Sequence, residues 1–142
     1  MRLPTVLRLL PPALIAAALA VPALASDVVV IGHKDNAHPL DKAQIARLFV
    51  GDLRTWPDGT PVVPLDQAED NPLRGVFYTT VVGRSPAQAK AAWAQLTFSG
   101  KATPPKVVDS DAEVKKAVAA NRNAIGYIKP GSVDDTVKVL LK

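Results

Sequence analysis

The stretch FVGDLRTWPDGTPVVP, residues 49–64, predicts a helix end, a tight turn and a strand in immediate succession. Gly51 stands where a helix exits through a left-handed residue. In the turn, Pro57 presets φ, Asp58 can bond the backbone two residues on, and Gly59 accepts a positive φ. The following PVVPL is typical of a strand, although its prolines restrict it to a sheet edge or a short stretch. A turn this closely specified usually fixes the position of a neighbouring strand or loop, so the segments on either side of it are considered next.

Upstream of this stretch, the sequence predicts a buried strand and a capped helix. The run DVVVIG, residues 27–32, is rich in β-branched residues and is closed by glycine. Asp41, with Gln44 three residues later, forms a carboxylate version of the capping box. The apolar residues that follow recur at helical spacing up to Phe49, so this helix leads directly into the quoted stretch.

Downstream, two helix starts carry proline at the first helical position. Asn71-Pro72 opens a helix that is predicted to run to about residue 82. Ser85-Pro86 opens a second helix that ends at Gly100. On this second helix, Trp93, Leu96 and Phe98 are expected to face inward.

The C-terminal third adds strands and one more helix. A loop and strand follow at TPPKVV, and Ser110 with Glu113 predicts a capped helix. The segments AIGYI and TVKVLL are predicted strands separated by a turn at Pro130-Gly131. The resulting order, β-α-β-α-α-β-α-β-β, predicts a single layered α/β domain.

The N-terminus is typical of an export signal. Residues 1–25 carry Arg2 and Arg8, an apolar run and a final ALA that signal peptidases prefer. The run contains three prolines and is short for crossing about 30 Å of hydrocarbon. We therefore expect a cleaved signal peptide at 1–25 and a domain at 26–142, the alternative being an uncleaved N-terminal anchor.

Composition excludes several classes of protein. The chain has no cysteine, so neither disulfides nor a lipid-anchored N-terminal cysteine is available. Lys and Arg number 17 against 13 Asp and Glu, and removal of Arg2 and Arg8 lowers the net charge from +4 to +2. Nucleic-acid binding is not expected, because it needs a clustered basic footprint. A soluble protein of the periplasm fits best.

Five segments in order resemble the periplasmic phosphate-binding proteins of ABC transporters. They are Phe49-Val50-Gly51, Trp56-Pro57-Asp58-Gly59, Arg74-Gly75-Val76-Phe77, Trp93 and Ile125-Gly126-Tyr127. The resemblance implies one lobe of a type II periplasmic binding protein, with a mixed sheet and helices on both faces. It also implies binding of a small anion such as phosphate, without catalysis or a cofactor.

The sequence departs from that family in two respects. Its members have two lobes that close on the anion, whereas this chain is long enough for only one. Where the family places a Ser-Gly-Thr-type loop, this chain reads DQAEDNPLRG, so Asp66, Glu69 and Asp70 add negative charge where phosphate would dock. The resemblance therefore supports the fold more than it supports transport.

The N-terminus of the Asn71 helix is the predicted anion site. Helix dipole and free N–H groups favour an anion there, and Gln67, Asn71 and Arg74 could add donors. Ser110, at the start of another helix, is a further candidate ligand. In the alternative interpretation, Asn71 and Ser110 only cap their helices and Arg74 pairs with Glu69 or Asp70.

Other chemistry has little support in the sequence. Two histidines and two aspartates could ligate a metal, but they lie in a predicted polar loop where spacing fixes no geometry: His33, Asp35, His38 and Asp41. No G-x-S-x-G, H-E-x-x-H, glycine-rich phosphate loop or cysteine nucleophile is present, so no enzyme is predicted. Trp56, Trp93 and Tyr127 are expected to be packed.

Two functions from different classes follow. The first is an exported binding module that engages a small anion and works with an ABC transporter membrane component or an envelope sensor protein. The second is a protein-interaction adaptor that keeps the lobe fold without its ligand. An exposed apolar patch near the loop would favour the adaptor, and a concave positive pocket would favour the binder.

Overall fold

The computed structural model describes residues 27–142. The expected signal peptide at 1–25 and the expected domain start at Ser26 lie outside these residues. The strands are β1 (Val29–His33), β2 (Val63–Gln67), β3 (Lys106–Val108), β4 (Ala124–Ile128) and β5 (Val137–Leu141). The α-helices are α1 (Lys42–Phe49), α2 (Pro72–Phe77), α3 (Pro86–Phe98) and α4 (Asp111–Ala120).

The strands form one mixed sheet in the order β3-β2-β4-β1-β5. β2 pairs in parallel with β3 and β4, whereas β1 is antiparallel to β4 and β5. Apolar side chains alternate between the two faces of the sheet, as the two-residue period of a strand requires. On β4, Ile125 and Tyr127 face one core cluster, and Ala124 and Ile128 face the other.

Helices cover both faces of the sheet. α1, α2 and part of α3 pack over the face that carries Tyr127, and α4 packs over the opposite face through Val114 and Val118. This arrangement confirms the predicted α/β fold, with a mixed sheet and helices on both faces.

β2 lies inside the sheet although its sequence contains Pro64, and it is a strand of five residues. Of the two expected alternatives, an edge position or a short stretch, the edge position therefore does not apply. Val63 donates its N–H to the carbonyl of Asn123 beside β4, so the next backbone nitrogen, that of Pro64, faces the β3 side. β3 pairs with β2 only from Leu65 onward. The proline therefore removes no ladder hydrogen bond.

The quoted stretch adopts the predicted helix exit and turn. α1 ends at Phe49, and Gly51 has a φ of 83°. A Cβ atom at Gly51 would also lie 2.3 Å from Cδ1 of Leu96, so that side chain would have to move. In the turn, the carboxylate of Asp58 accepts a 2.9 Å hydrogen bond from the N–H of Thr60. These local predictions are confirmed.

The helix that Asn71 caps has the predicted length but changes type. α2 ends at Phe77, and Tyr78–Val82 continue as a π-helical turn that closes at Gly83, whose φ is 74°. The wider turn shifts the side chains that follow it around the axis. Tyr78, at its start, is 1% exposed. The sequence gives no indication of this change.

Phe98 does not face inward. Its side chain is 96% exposed, whereas Trp93 on the same helix is buried and Leu96 is half-buried. Phe98 lies five positions after Trp93, which rotates it by about 140° around a helix of 3.6 residues per turn. The expectation for Phe98 is therefore wrong. Among residues 27–142, no helix is both long and apolar enough to cross a membrane.

Candidate functional site

A buried carboxylate lies on β2, on the face of the sheet that α2 covers. Asp66 accepts hydrogen bonds from the hydroxyl of Tyr127 at Oδ1 and from that of Tyr78 at Oδ2, the latter at 2.6 Å. The backbone N–H of Gln67 also donates to Oδ1 at 2.9 Å. Both oxygens of a charge that is costly to bury are thus hydrogen-bonded.

Arg74 supplies the positive charge beside this carboxylate. Its Nε lies 3.4 Å from Oδ1 of Asp66, and the guanidinium lies 5.0 Å from the centre of the Tyr78 ring. The Arg74 side chain is only 12% exposed. Arg74 also lines the neighbouring cavity, and a guanidinium carries five N–H donors, so it can offer donors to a ligand there.

The two tyrosines stay neutral in this arrangement. Burial raises the pKa of Tyr78 and Tyr127 well above the ordinary value of about 10, and the negative charge of Asp66 raises it further. Each hydroxyl therefore remains a donor that holds Asp66, and Asp66 in turn fixes the position of Arg74.

Arg74 and Asp66 form the floor of a cavity of about 510 Å³. Glu69 and Lys90 add two further charges to its lining. Its walls are residues of α3, of the segment leading into β3 and of β3 itself: Trp93, Ala94, Thr97, Phe98, Pro104, Pro105 and Val107. A concave, mostly apolar space with a few convergent polar groups is the usual form of a small-molecule site.

The rim charges of the cavity pair with each other. Nζ of Lys90 donates a 2.9 Å hydrogen bond to the Glu69 carboxylate. This hydrogen bond and the Lys90 charge lower the pKa of Glu69, so the carboxylate is ionised at neutral pH. The pair is about 70% exposed on each side and adds little to stability.

Three of the predicted ligand residues lie together, but they already bond to one another. The amide of Asn71 donates to Oε1 of Gln67, and Nε2 of Gln67 donates to the carbonyl of Tyr127. Arg74 pairs with Asp66 rather than with Glu69 or Asp70, so the predicted ion pair had the wrong partner. Of this group, only Arg74 lines the cavity.

The N-terminus of α2 offers few free amides. Pro72 has no N–H, and the N–H of Leu73 donates to the side chain of Asn71 at 3.0 Å. The N–H of Arg74 donates to the carbonyl of Asn71. The anion site that the sequence places at this helix end stays a prediction, and the geometry favours the cavity beside Arg74 instead.

Ser110 lies at the start of α4 and acts there as a cap. Its Oγ accepts a hydrogen bond from the N–H of Glu113 at 3.2 Å. The next residue, Asp111, accepts from Nε2 of Gln67 at 3.0 Å and from the N–H of Lys129. Ser110 does not line the cavity, and its role as a ligand stays a prediction.

The histidine-containing loop shows no metal geometry. His33 accepts a hydrogen bond from the N–H of Asp35, and Asp41 caps α1 through Gln44. His38 lies against Trp56, with Nε2 3.2 Å from a carboxylate oxygen of Asp58. Within residues 27–142, no three His, Cys, Asp or Glu side chains form a group that could hold a metal ion.

A larger cavity, of about 970 Å³, shares no lining residue with the cavity beside Arg74. Asp27, Lys42 and Lys142 line it together with apolar residues of the π-helical turn and of β5. Its lining contains no buried ion pair among residues 27–142, whereas Asp66 and Arg74 form one beside the smaller cavity. We therefore assign the candidate site to the cavity beside Arg74.

Sequence reasoning missed Asp66, Tyr78 and Tyr127 as a unit. It placed Asp66 in an acidic loop, whereas Asp66 is on β2 and points into the core. A signal was present, because two tyrosines at inward positions need partners for their hydroxyls. The missing information was which carboxylate would supply them.

Three solved structures share the fold of residues 27–142. A phosphate ABC transporter substrate-binding protein from Clostridium perfringens, with bound phosphate, is 24% identical, with a TM-score of 0.65 over 80% of this chain and 43% of its own. An ABC-type phosphate transport receptor from Vibrio cholerae is 20% identical, with a TM-score of 0.63 over 80% of this chain and 44% of the receptor. PstS from Borrelia burgdorferi is 13% identical, with a TM-score of 0.61 over 80% of this chain and 46% of the PstS chain.

These likenesses confirm the predicted resemblance at the level of the fold. The chain spans less than half the length of each of the three structures. The first is named as a substrate-binding protein and the second as a transport receptor. No protein-family model matches the chain, and no curated protein matches it.

Proposed function

We propose that this protein is an exported solute-binding module of the periplasm that binds a small anion, such as phosphate, without chemical conversion. The observation that carries the proposal is Arg74. Its guanidinium lies beside Asp66 and over the Tyr78 ring, and Arg74 lines the cavity. A fixed arginine fork recognises carboxylate and phosphate oxygens because two N–H groups can donate in parallel.

The fold neighbours support the same proposal. Two of the three are named as phosphate-transport proteins, and one of these was solved with phosphate bound. By analogy, the partner would be the membrane component of an ABC transporter. The proposed ligand contact is Arg74, with Gln67 and Asn71 holding the loop before α2 in position.

Calorimetric titration with phosphate tests the proposal. We expect saturable heat in the wild type and about tenfold weaker binding in Arg74→Lys, because lysine keeps the charge beside Asp66 but lacks the fork. Lys116→Ala, which removes a charge from the exposed side of α4, is the matched control and should bind as the wild type does. A folded protein that produces no heat with phosphate would contradict the proposal for this anion.

An interaction adaptor is the second candidate, and the exposure of Phe98 is the observation that favours it. Phe98 is 96% exposed and Val107 is 57% exposed at the mouth of the cavity. Large apolar side chains exposed side by side often mark protein contacts. Surface plasmon resonance against a purified transporter membrane component, comparing Phe98→Ala with Lys116→Ala, tests it. Loss of binding in Phe98→Ala alone is the expected result.

A further inference from the structure

The cavity beside Arg74 has a charged floor and apolar walls. The walls are Trp93, Ala94, Phe98, Pro104, Pro105 and Val107. The volume of about 510 Å³ falls in the range of roughly 300–1,000 Å³ that is usual for organic ligands. Inorganic phosphate presents oxygen atoms on every side, so it gains nothing from these walls. A ligand with a carbon body would remove them from water, which is favourable in proportion to the apolar area buried.

The charges of the cavity argue against a doubly charged ligand. Asp66 and Glu69 balance Arg74 and Lys90, so the lining is neutral overall. An anion at the outer edge of Arg74 lies near the Asp66 carboxylate, because that carboxylate is 3.4 Å from Nε. Repulsion between unit charges 4 Å apart is about 1 kcal/mol in water and about 4 kcal/mol near a protein surface. A second charge on the ligand adds to this cost without a second free cation.

We infer that the site is built for a singly charged organic anion with an apolar body, such as an aromatic carboxylate, rather than for inorganic phosphate. This inference rests on the proposed anion binding at Arg74. The carboxylate accepts two hydrogen bonds from the terminal nitrogens of Arg74, and the ring lies between α3 and the segment that leads into β3. Phe98, at the mouth, closes over the ring.

A small molecule fits this site better than a protein segment. The cationic group lies at the floor of the recess, where Arg74 is 12% exposed, and a folded partner surface would reach Phe98 and Val107 before it reached Arg74. The site therefore has exposed apolar side chains, Phe98 and Val107, at its entrance and the cationic Arg74 deeper inside. A compact anion with an apolar body can contact both.

Four probes separate the parts of this inference: phenylacetate, acetate, inorganic phosphate and benzyl alcohol. In calorimetric titrations, we expect phenylacetate to bind at least about tenfold more tightly than the other three probes. An apolar group that enters an apolar pocket raises the affinity by about tenfold or more. Fluorescence gives a readout local to the site. Trp93 lines the cavity, and Trp56, the other tryptophan of the chain, does not.

Two variants assign the effect to the named side chains. Phe98→Ala should weaken phenylacetate by about three- to tenfold and leave acetate unchanged, because only the ring contact is lost. Its side chain is exposed, so the fold is retained. Arg74→Gln should weaken both carboxylates by at least about tenfold. If Arg74→Gln does not fold, Arg74→Lys takes its place, and Lys116→Ala is the control for both.

Each outcome decides a different statement. Phenylacetate that binds no more tightly than acetate, with both dependent on Arg74, overturns this inference and leaves the proposed anion binding standing. If benzyl alcohol binds as tightly as phenylacetate, the ligand's carboxylate contributes nothing to binding, and the inferred contact with Arg74 is wrong. A folded protein that binds no anion at all overturns the inference and the proposed function together. Phe98→Ala that binds phenylacetate normally but loses a protein partner overturns the inference in favour of a docking surface.

Discussion

The hydroxyl of Tyr78 donates a 2.6 Å hydrogen bond to the carboxylate of Asp66 inside the hydrophobic core. Tyr78 belongs to the π-helical turn and Asp66 to β2, so the bond links the helical layer to the sheet. The other oxygen of this carboxylate, Oδ1, lies 3.4 Å from Nε of Arg74. The position of Arg74, the candidate ligand contact, therefore depends on the hydrogen bond that Tyr78 donates to Asp66.

We expect Tyr78→Phe to destabilise the protein by about 1–3 kcal/mol. The substitution keeps the ring but leaves Oδ2 of Asp66 without a donor, and a buried acceptor that loses its partner costs about that much. Urea denaturation measures the change. Thr103→Val, which removes an exposed hydroxyl, should change stability by less than about 0.5 kcal/mol. Equal stability of the two variants would show that the Asp66 hydrogen bond does not stabilise the fold.

Alkaline titration should report on both tyrosines together. The pKa of Tyr78 and Tyr127 is raised, first by burial and then by the charge of Asp66. Because the pKa is higher in the folded state, each tyrosine contributes to the free energy of unfolding. This contribution is full below the unfolded pKa of about 10 and is lost as the pH rises above that value. Tyr78 and Tyr127 are the only tyrosines of the chain, so phenolate absorbance reports on no other residue.

The expected result is that phenolate absorbance appears only as the protein unfolds. Absorbance near the phenolate band and circular dichroism should therefore change over the same pH interval, above about 10. In 6 M urea the absorbance should instead rise near the ordinary pKa of about 10, which serves as the control. Phenolate absorbance that rises near pH 10 while the circular dichroism stays native would contradict the buried arrangement.

Local signals explain how much of the fold the sequence predicts. The cap of α1 links residues three positions apart, and the turn at Asp58 links residues two positions apart. Interactions of this kind are visible in a short window, and they set the order of elements. Pro64 shows the limit of such rules, because its place in the sheet depends on where β3 begins, far along the chain.

The candidate site was less predictable because its contacts are distant in sequence. Asp66 meets Tyr127 across 61 positions, and no local pattern links them. Tyr78 meets Asp66 across 12 positions, at the point where α2 passes into the π turn. Arg74 was identified as a ligand candidate from its position in the helix, but its true partner and its cavity follow from packing.

We expect Gly126→Ala to destabilise the protein by about 1–3 kcal/mol through overpacking. A Cβ atom at this position would lie 2.6 Å from Cγ1 of Val114, so β4 and α4 would have to separate. Thermal denaturation measures the loss. Gly131→Ala is the matched control, because a Cβ atom there meets nothing within 4 Å.

A second background tests the named contact directly. Val114→Ala removes Cγ1, so Gly126→Ala should cost less in that background than in the wild type, and the two effects should not add. Additive effects would mean that Gly126 is required for a reason other than the approach of α4.

The last prediction concerns acid pH and the ion pair that joins α4 to the turn before β5. The Asp134 carboxylate accepts hydrogen bonds from the side chain of Thr136, from Lys115 at 2.9 Å and from the N–H of Thr136. These hydrogen bonds lower the pKa of Asp134 from 3.8 to about 2. A lowered folded-state pKa gives stability that is complete above about pH 4 and is lost as the pH falls toward 2.

Asp134→Asn should therefore be less stable than the wild type at pH 7, and the difference should narrow between pH 4 and pH 2. Urea denaturation at pH 7, 4 and 3 measures it, with Asp135→Asn as the control that removes the same charge from the neighbouring exposed position. A difference that stays constant down to pH 3 would mean that Asp134 acts through the geometry of its turn, since an uncharged hydrogen bond does not depend on the ionisation of the carboxylate.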